Sequence, residues 1–347
     1  MGKPVVTANH VTFARLLSMP MMVWLFYQGE TGQWWAFGLG AVIATTDFVD
    51  GYLARKYGPT VLGGLMDPIA DKVFIVCILL PLVDLGWVPG WMVALMFVRD
   101  LLITALRTAY ELRGIRLKTS YIAKVKTWVQ MQGVATMIFF ILVDDRAIAW
   151  WVIGSATVAP AVVVVAGLVI WRKFLRGAAI MVGAMLVLDA LYLPGDRLVT
   201  LDLMTAGMLI ITWASGLDYL YIGIRQMRGK AGFGKADMVR IAGALALPVL
   251  CLGVMVDTTA PVWIAVTILC IELAVGGLDN LYAHHDASSG TFAWGLRTLT
   301  TSALLGAAWL AQHHGYRDYV EPLGYAAMGA MILGGAREFW RGRRYYV

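Results

Sequence analysis

Charge is scarce in this chain. Only 14% of its 347 residues are Asp, Glu, Lys or Arg, against about a quarter in soluble domains, and that deficit excludes an ordinary water-soluble globule. Cysteine is scarcer still, and Cys77, Cys251 and Cys270 all fall in apolar runs, where they read as small core residues and not as a disulfide or metal framework. A short cleavable leader is also missing from the pattern: "MGKPVVTANHVTFARLL" has few apolar residues before Arg15, and the first apolar run continues to full spanning length. The N-terminus is therefore expected on the cytoplasmic side. What the chain has instead is 60% hydrophobic residues and a mean hydropathy of +0.71, the composition of an integral membrane protein. Its net charge of +6 sits in short loops, where it sets orientation, so no nucleic-acid partner is expected.

A span needs roughly 20 apolar residues, and about twelve such runs can be drawn, near 11–28, 34–55, 69–86, 90–111, 122–144, 148–171, 177–193, 200–226, 237–257, 261–282, 292–312 and 322–340. The loops "ELRGIRLKTSY", "WRKFLRG" and "RQMRGKAGFGKAD" and the tail "REFWRGRRYYV" hold most of the Lys and Arg, and all four fall on one side. An even helix number and the positive-inside rule then place both termini in the cytoplasm. The expected fold is all-α: a polytopic transmembrane helical bundle of about twelve helices.

Against this apolar background, "TTDFVDGYLARKYGPTVLGGLMDPIADKV" carries four aspartates in residues 45–73. Asp47 and Asp50 lie three apart on the second helix, and Asp67 and Asp71 four apart at the start of the third, so each pair shares a helix face. Gly51 and Ala54 allow close approach, and Gly58, Pro59, Gly63 and Gly64 make a tight connection. Four neighbouring carboxylates repel one another unless cations neutralise them, and an all-oxygen ligand set suits Mg²⁺ or Mn²⁺. The alternative is a solvated acidic loop, or salt bridges to Arg55, Lys56 and Lys72.

The pattern D-x2-D-G-x2-A-R-x7-G-x3-D-x3-D, running from Asp47 to Asp71, resembles the signature of the CDP-alcohol phosphotransferase family. The gap between Arg55 and Gly63 is one residue shorter than the family's. The resemblance implies two metal ions held by Asp47, Asp50 and Asp67, with Asp67 shared, and Asp71 beside them as general base. It also implies a CDP-linked lipid donor, which Gly51, Ala54, Arg55 and Gly63 would help to bind. "NHVTFARLL" adds Asn9, Thr12 and Arg15, similar to the family's N-x2-T-x2-R entry segment, with Ala8 where Pro is usual. That segment reads equally as direct contact with the CDP-lipid by Asn9, Thr12 and Arg15 and as an interfacial amphipathic start.

The acceptor is expected to meet residues 97–131. Arg99 and Arg107 lie eight apart on nearly one face of the fourth helix, and Lys124 and Lys126 open the fifth, so four cations near an acidic metal site imply an anionic guest. Snorkelling residues are the other reading, one that suits Arg113, Arg116 and Lys118 better than Arg99. "LITALR", "AKVKTWVQM" and "MDPIADK" resemble the phosphatidylglycerophosphate synthase branch of the family, with Ala123 where that branch has Gly and Arg99-Asp100 in place of Arg-Glu. The implied reaction transfers a phosphatidyl group from CDP-diacylglycerol to glycerol 3-phosphate and releases CMP. A cardiolipin synthase, which would generally have Asn at Lys126, and a secondary transporter with a parallel repeat are the alternatives.

Residues 1–226 are read as the catalytic domain, for which the resemblance implies a six-helix core, and the remaining helices as additional and C-terminal. "ITWASGLDYLYIGI", residues 211–224, resembles the family's last helix, which makes 148–193 an inserted hairpin; the competing alignment makes 148–171 the sixth helix. Residues 237–347 read as a degenerate second transmembrane domain, a truncated repeat in which Asp50 pairs with Asp279 and Trp34 with Trp263 at an offset of 229, while Asp47 becomes Gly276, Asp67 Leu296 and Asp71 Thr300. Glu272, Asp279, His284, His285 and Asp286 could hold a second metal, but the two histidines point apart on a helix and polar capping is the favoured reading. Family members resemble homodimers, so the chain is expected as a homodimer or an internal pseudo-dimer, in a bacterial inner membrane, with its active site facing the cytoplasm.

Overall fold

A helix of 22 residues rises about 33 Å, enough to cross a hydrocarbon core of about 30 Å, and this chain is built from helices of that order. The computed structural model describes residues 8–57, 61–115, 121–143, 145–169, 196–227, 232–284 and 291–343, with isolated positions between 172 and 190. Among the described residues there is no strand. The α-helices are α1 (Ala8–Phe26), α2 (Gly29–Tyr57), α3 (Val61–Asp84), α4 (Gly90–Glu111), α5 (Tyr121–Leu142), α6 (Arg146–Val169), α7 (Arg197–Met227), α8 (Lys235–Asp257), α9 (Val262–His284), α10 (Thr291–His313) and α11 (Val320–Gly342). Of the run expected near 177–193, only isolated positions (179, 182, 183, 185–187 and 190) are described, each of them helical, and the rest lies outside the described residues.

Among the described residues, four stretches are both long and apolar enough to cross a membrane: α5, α7, α8 and Val262–Asp279 of α9. The chain is an integral membrane protein. Helices α3 and α4 have spanning length, at 24 and 22 residues, but carry ionisable side chains inside it: Asp67, Asp71 and Lys72 on α3, and Arg99, Asp100 and Arg107 on α4. Such residues within a span are costly unless paired or facing a cavity.

Hydrophobic burial runs through the whole molecule, joining Met19 of α1, Val76 of α3, Met137 of α5, Leu247 of α8, Leu269 of α9 and Met331 of α11 in one cluster. Helix α1 packs on α2 and α3, and α5 on α7. Helix α4 is shared: it lies against α7 on one side and against α8 and α9 on another, while α9 also packs on α3. In contrast, α6 has at most slight contact with any other described helix, joining the core through Ala149 and Ile153. The first and third helices of each proposed repeat pack alike, α1 on α3 and α8 on α10. The third and fourth do not, because α10 and α11 pack extensively whereas α4 leaves α3 for α7 and α8.

The three cysteines are free thiols, with Cys77 and Cys251 buried. Of the residues considered for a second metal, Glu272 accepts a 2.7 Å bond from the Arg297 guanidinium, and Asp279 is buried beside α4. Capping at an interface does not describe Glu272 or Asp279, which face inward where α8, α9 and α10 meet. The side chains of His284, His285 and Asp286 lie outside the described residues.

Gly335 of α11 meets α9 closely enough that a Cβ would sit 2.5 Å from the Ile271 Cγ2. Because Ile271 is β-branched and stiff, Gly335→Ala is expected to destabilise the fold by about 1–3 kcal/mol. Gly154→Ala in α6, where a Cβ meets nothing within 4 Å, is expected to be neutral or slightly stabilising. Thermal unfolding of the two variants in detergent checks this: the Gly335 variant should melt lower, and equal midpoints would contradict the close α9–α11 contact.

Candidate active site

The aspartate site begins with two short spacings. Thr12 and Arg15 lie three apart on α1, Asp67 and Asp71 four apart on α3, and the packing of α1 on α3 brings the two faces together. The Thr12 hydroxyl donates to Asp67 Oδ1 at 3.0 Å, and the Arg15 guanidinium donates to Asp71 Oδ1 at 3.1 Å. Thr12 is fully buried, and the Arg15 side chain is 2% exposed against 30% for Asp71. An interfacial amphipathic start is therefore not what these residues make: they turn inward and hold the carboxylates from behind. Of the anticipated salt-bridge partners, Lys72 turns to Thr104 instead, and Asp71 pairs with Arg15, which lies outside that set.

Asn9 lies on the same helix, half-buried, and Gly63 is buried at the start of α3. Asp47, Asp50, Gly51, Ala54 and Arg55 lie in α2 by backbone, with their side chains outside the described residues. Among the described residues no group of three or more His, Cys, Asp and Glu is placed to hold a metal. The donor chemistry nonetheless fits a hard cation: Asp67 and Asp71 supply carboxylate oxygens one helical turn apart on one face, and the Asp71 group opens toward a cavity.

That cavity, of about 290 Å³, runs between α3, α4 and α5. Its charged lining is Asp71, Lys72, Arg99, Asp100, Arg107 and Lys126, four cations against two carboxylates, or +2. Thus the structure brings Asp71, Arg99, Arg107 and Lys126 together, while the Lys124 side chain lies outside the described residues. The volume is near the lower end of small-molecule sites, about 300 Å³.

The cations are held in a fixed array. Asp100 accepts from Lys126 Nζ through both carboxylate oxygens at 2.9 Å and from Arg99 Nη1 at 2.9 Å. The other Arg99 nitrogen, Nη2, donates to the Ser215 hydroxyl of α7. Its stem passes Gly216 where a Cβ would come within 3.0 Å. Lys72 Nζ donates to Thr104 Oγ1 at 2.9 Å, and Thr104 in turn donates to the Asp100 carbonyl at 2.7 Å. Gln130 of α5 donates to Thr212 of α7 at 3.1 Å, closing the wall behind Lys126. Arg107 stands over the Tyr219 ring, 5.8 Å from its centroid.

Sequence reasoning passed over Lys72, Asp100, Thr104 and Ser215 as site residues. A signal existed for the first two, since an ionisable residue inside an apolar span is costly and marks a cavity or a partner. Ser215 is separated from Arg99 by 116 positions, and no spacing rule reaches that far.

A family model described as CDP-alcohol phosphatidyltransferase matches residues 5–156, ending within α6. The chain is 36% identical over 135 residues to the CDP-diacylglycerol--glycerol-3-phosphate 3-phosphatidyltransferase of Rickettsia felis, covering 38% of this chain and 73% of the relative. It is 38% identical over 136 residues to a probable phosphatidylglycerophosphate synthase of Mycobacterium tuberculosis, covering 38% and 65%. The enzyme of Bacillus subtilis with the same name as the Rickettsia protein is 36% identical over 98 residues, covering 28% and 51%. No solved structure matches the chain. The matched region holds the aspartates, their α1 partners and the three helices around the cavity, and on that shared stretch this chain belongs to the CDP-alcohol phosphatidyltransferase family.

Proposed function

We propose that this chain transfers the phosphatidyl group of CDP-diacylglycerol to glycerol 3-phosphate, releasing CMP and forming phosphatidylglycerophosphate. The observation that carries the reading is the cavity in which the Asp71 carboxylate faces Lys72, Arg99, Arg107 and Lys126. An acceptor with both a hydroxyl and a phosphate matches that polarity: the hydroxyl goes to the carboxylate, the phosphate to the cations. Phosphatidylglycerol would bring no terminal phosphate monoester to this wall, which weighs against a cardiolipin synthase.

Asp71 takes the proton of the acceptor hydroxyl as that oxygen attacks the donor phosphorus, and Arg15 fixes the carboxylate in place for it. Asp100 holds Lys126 and Arg99 in position before substrate arrives, so little side-chain freedom is lost on binding. Asn9, Gly51, Ala54, Arg55 and Gly63 would line the path of the CDP-lipid, and Thr12 and Arg15 would act on it through the carboxylates they hold. Two divalent ions, Mg²⁺ or Mn²⁺, would be held by Asp47, Asp50, Asp67 and Asp71 and would offset the charge that builds on the pyrophosphate oxygens.

The remaining architecture is read in the same frame. Residues 1–226 form the catalytic unit, with α7 as its last core helix and 148–193 inserted before it; residues 237–347 are a degenerate second unit whose α8 and α9 cover α3 and α4 as a second subunit would. The site and both termini face the cytoplasm of a bacterial inner membrane.

Two measurements test the reading. In a CMP-release assay with CDP-diacylglycerol, Mg²⁺ and glycerol 3-phosphate, Asp71→Asn should lower kcat by about 10²-fold or more. Arg107→Gln should raise KM for glycerol 3-phosphate by about tenfold, the loss of one charge-assisted hydrogen bond, and leave KM for the lipid donor unchanged. Full activity of the Asp71 variant would end the base assignment. For the pseudo-dimer, the mass of the purified protein in detergent should correspond to one 38.0 kDa chain; a stable dimer joined through α3 and α4 would contradict it.

A further inference from the structure

Helices α8 to α11 lie beyond the family match, yet two of them, α8 and α9, pack on α4, the helix that carries Arg99 and Arg107. The first contact is at the end of α4, where Gly114 takes a φ of 71° and Ile115 N–H donates back to the Tyr110 carbonyl at 3.0 Å. From this turn Arg113 reaches the segment that leads into α8. Its Nη2 donates to Asp237 Oδ2 at 2.5 Å and to the Gly232 carbonyl at 2.8 Å. Asp237 Oδ2 also accepts the Gly234 N–H at 2.9 Å, so one carboxylate closes the start of α8 and grips α4 together.

Between those ends lies Phe233. Its ring sits 5.4 Å from the Arg113 guanidinium and 6.2 Å from the ring of Tyr110. Tyr110 is 6.0 Å from Tyr219, and Tyr219 is the ring beneath Arg107. There is no slack in this row, because Tyr110 is buried against Gly223, where a Cβ would fall 2.4 Å from its ring. Four side chains thus connect the linker before α8 to a cation of the acceptor cavity.

The second contact comes from α9. Gly276 abuts Thr104 so closely that a Cβ would sit 2.8 Å from its Cγ2. Thr104 carries the hydroxyl that accepts from Lys72 and lines the acceptor cavity with its other neighbours on α4. A push on Thr104 from behind is therefore a push on Lys72.

We propose that the C-terminal helices brace the acceptor site: Phe233 and Asp237 position Arg107 through the aromatic row, and Gly276 positions Lys72 through Thr104. These are positioning residues, none of which touches the cavity. The inference rests on reading that cavity as the acceptor site. A long cationic side chain stacked on a ring loses less freedom when it captures an anion, so removing the support weakens acceptor binding and leaves the chemical step alone.

The test uses the full chain with Phe233→Ala, Phe233→Tyr and Gly276→Ala. Phe233→Ala takes the end support from the Tyr110–Tyr219 row and should raise KM for glycerol 3-phosphate by about two- to fivefold, with kcat and KM for CDP-diacylglycerol unchanged; the Arg107–Tyr219 contact is loosened, not removed. Restoring a ring with Phe233→Tyr should bring KM back, and Gly276→Ala should raise it as Phe233→Ala does. Unchanged acceptor KM in both Phe233→Ala and Gly276→Ala, or equal changes in every kinetic constant, would overturn the brace. Hydrogen–deuterium exchange over residues 108–115 reads the contact without any substrate, and it should quicken in Phe233→Ala. A wild-type protein that accepts no glycerol 3-phosphate would sink the acceptor reading and the acceptor-site brace with it, whereas an active wild type with unchanged exchange and acceptor KM in Phe233→Ala would sink the Phe233 arm of the brace alone.

Discussion

One buried carboxylate organises this molecule. Asp100 binds Lys126 of α5 through both oxygens and Arg99 of its own helix through one, and all three side chains are withdrawn from solvent where α4 and α5 face each other. Without Asp100, two buried cations would face each other, at a cost of about 3–5 kcal/mol for a broken buried pair. With it, the pair of cations is neutralised in part and aimed. The result is a wall that keeps its positive excess at the cavity while remaining tolerable inside the protein.

The same helix explains why the two halves are not separable in packing. One side of α4 presents Arg99, Thr104 and Arg107 to the cavity, and another packs on α8 and α9, with Thr104 touching both. Helix α7 completes the arrangement by giving Ser215 to Arg99 and leaving room at Gly216 for its stem. On the far side, α1 supplies Thr12 and Arg15 to the carboxylates. Each functional group is thereby anchored from a different helix, and each anchor is a polar bond made inside a core of aliphatic contacts.

Much of this was legible in the residues. The three- and four-residue spacings put Asp67 and Asp71 on one face, and the eight-residue spacing put Arg99 and Arg107 on another; both pairs follow from helical periodicity alone. Most helix ends fell within about five residues of the apolar runs, as α10 at Thr291–His313 does against 292–312, but α3 starts at Val61, eight residues before the expected 69, because the Gly- and Asp-bearing stretch ahead of the apolar run is helical too. What could not be read were contacts made between helices. Arg15 was assigned to substrate or to the interface because nothing in its own segment reveals that α1 packs on α3. Lys72, one position after Asp71, entered the sequence reading only in the alternative of salt bridges to the aspartates, whereas its position on the helix turns it to Thr104 of α4. The ion pair of Glu272 with Arg297 in the second half was hidden for the same reason.

The measurement that tests the account most directly is an acceptor comparison. Purified protein with CDP-diacylglycerol and Mg²⁺ is given glycerol 3-phosphate, glycerol, phosphatidylglycerol, inositol phosphate or serine, and CMP release is followed. The cation wall predicts release with glycerol 3-phosphate and little with glycerol, which has the hydroxyls but no phosphate. Equal release with glycerol, or release with phosphatidylglycerol alone, would contradict the role assigned to Lys72, Arg99, Arg107 and Lys126.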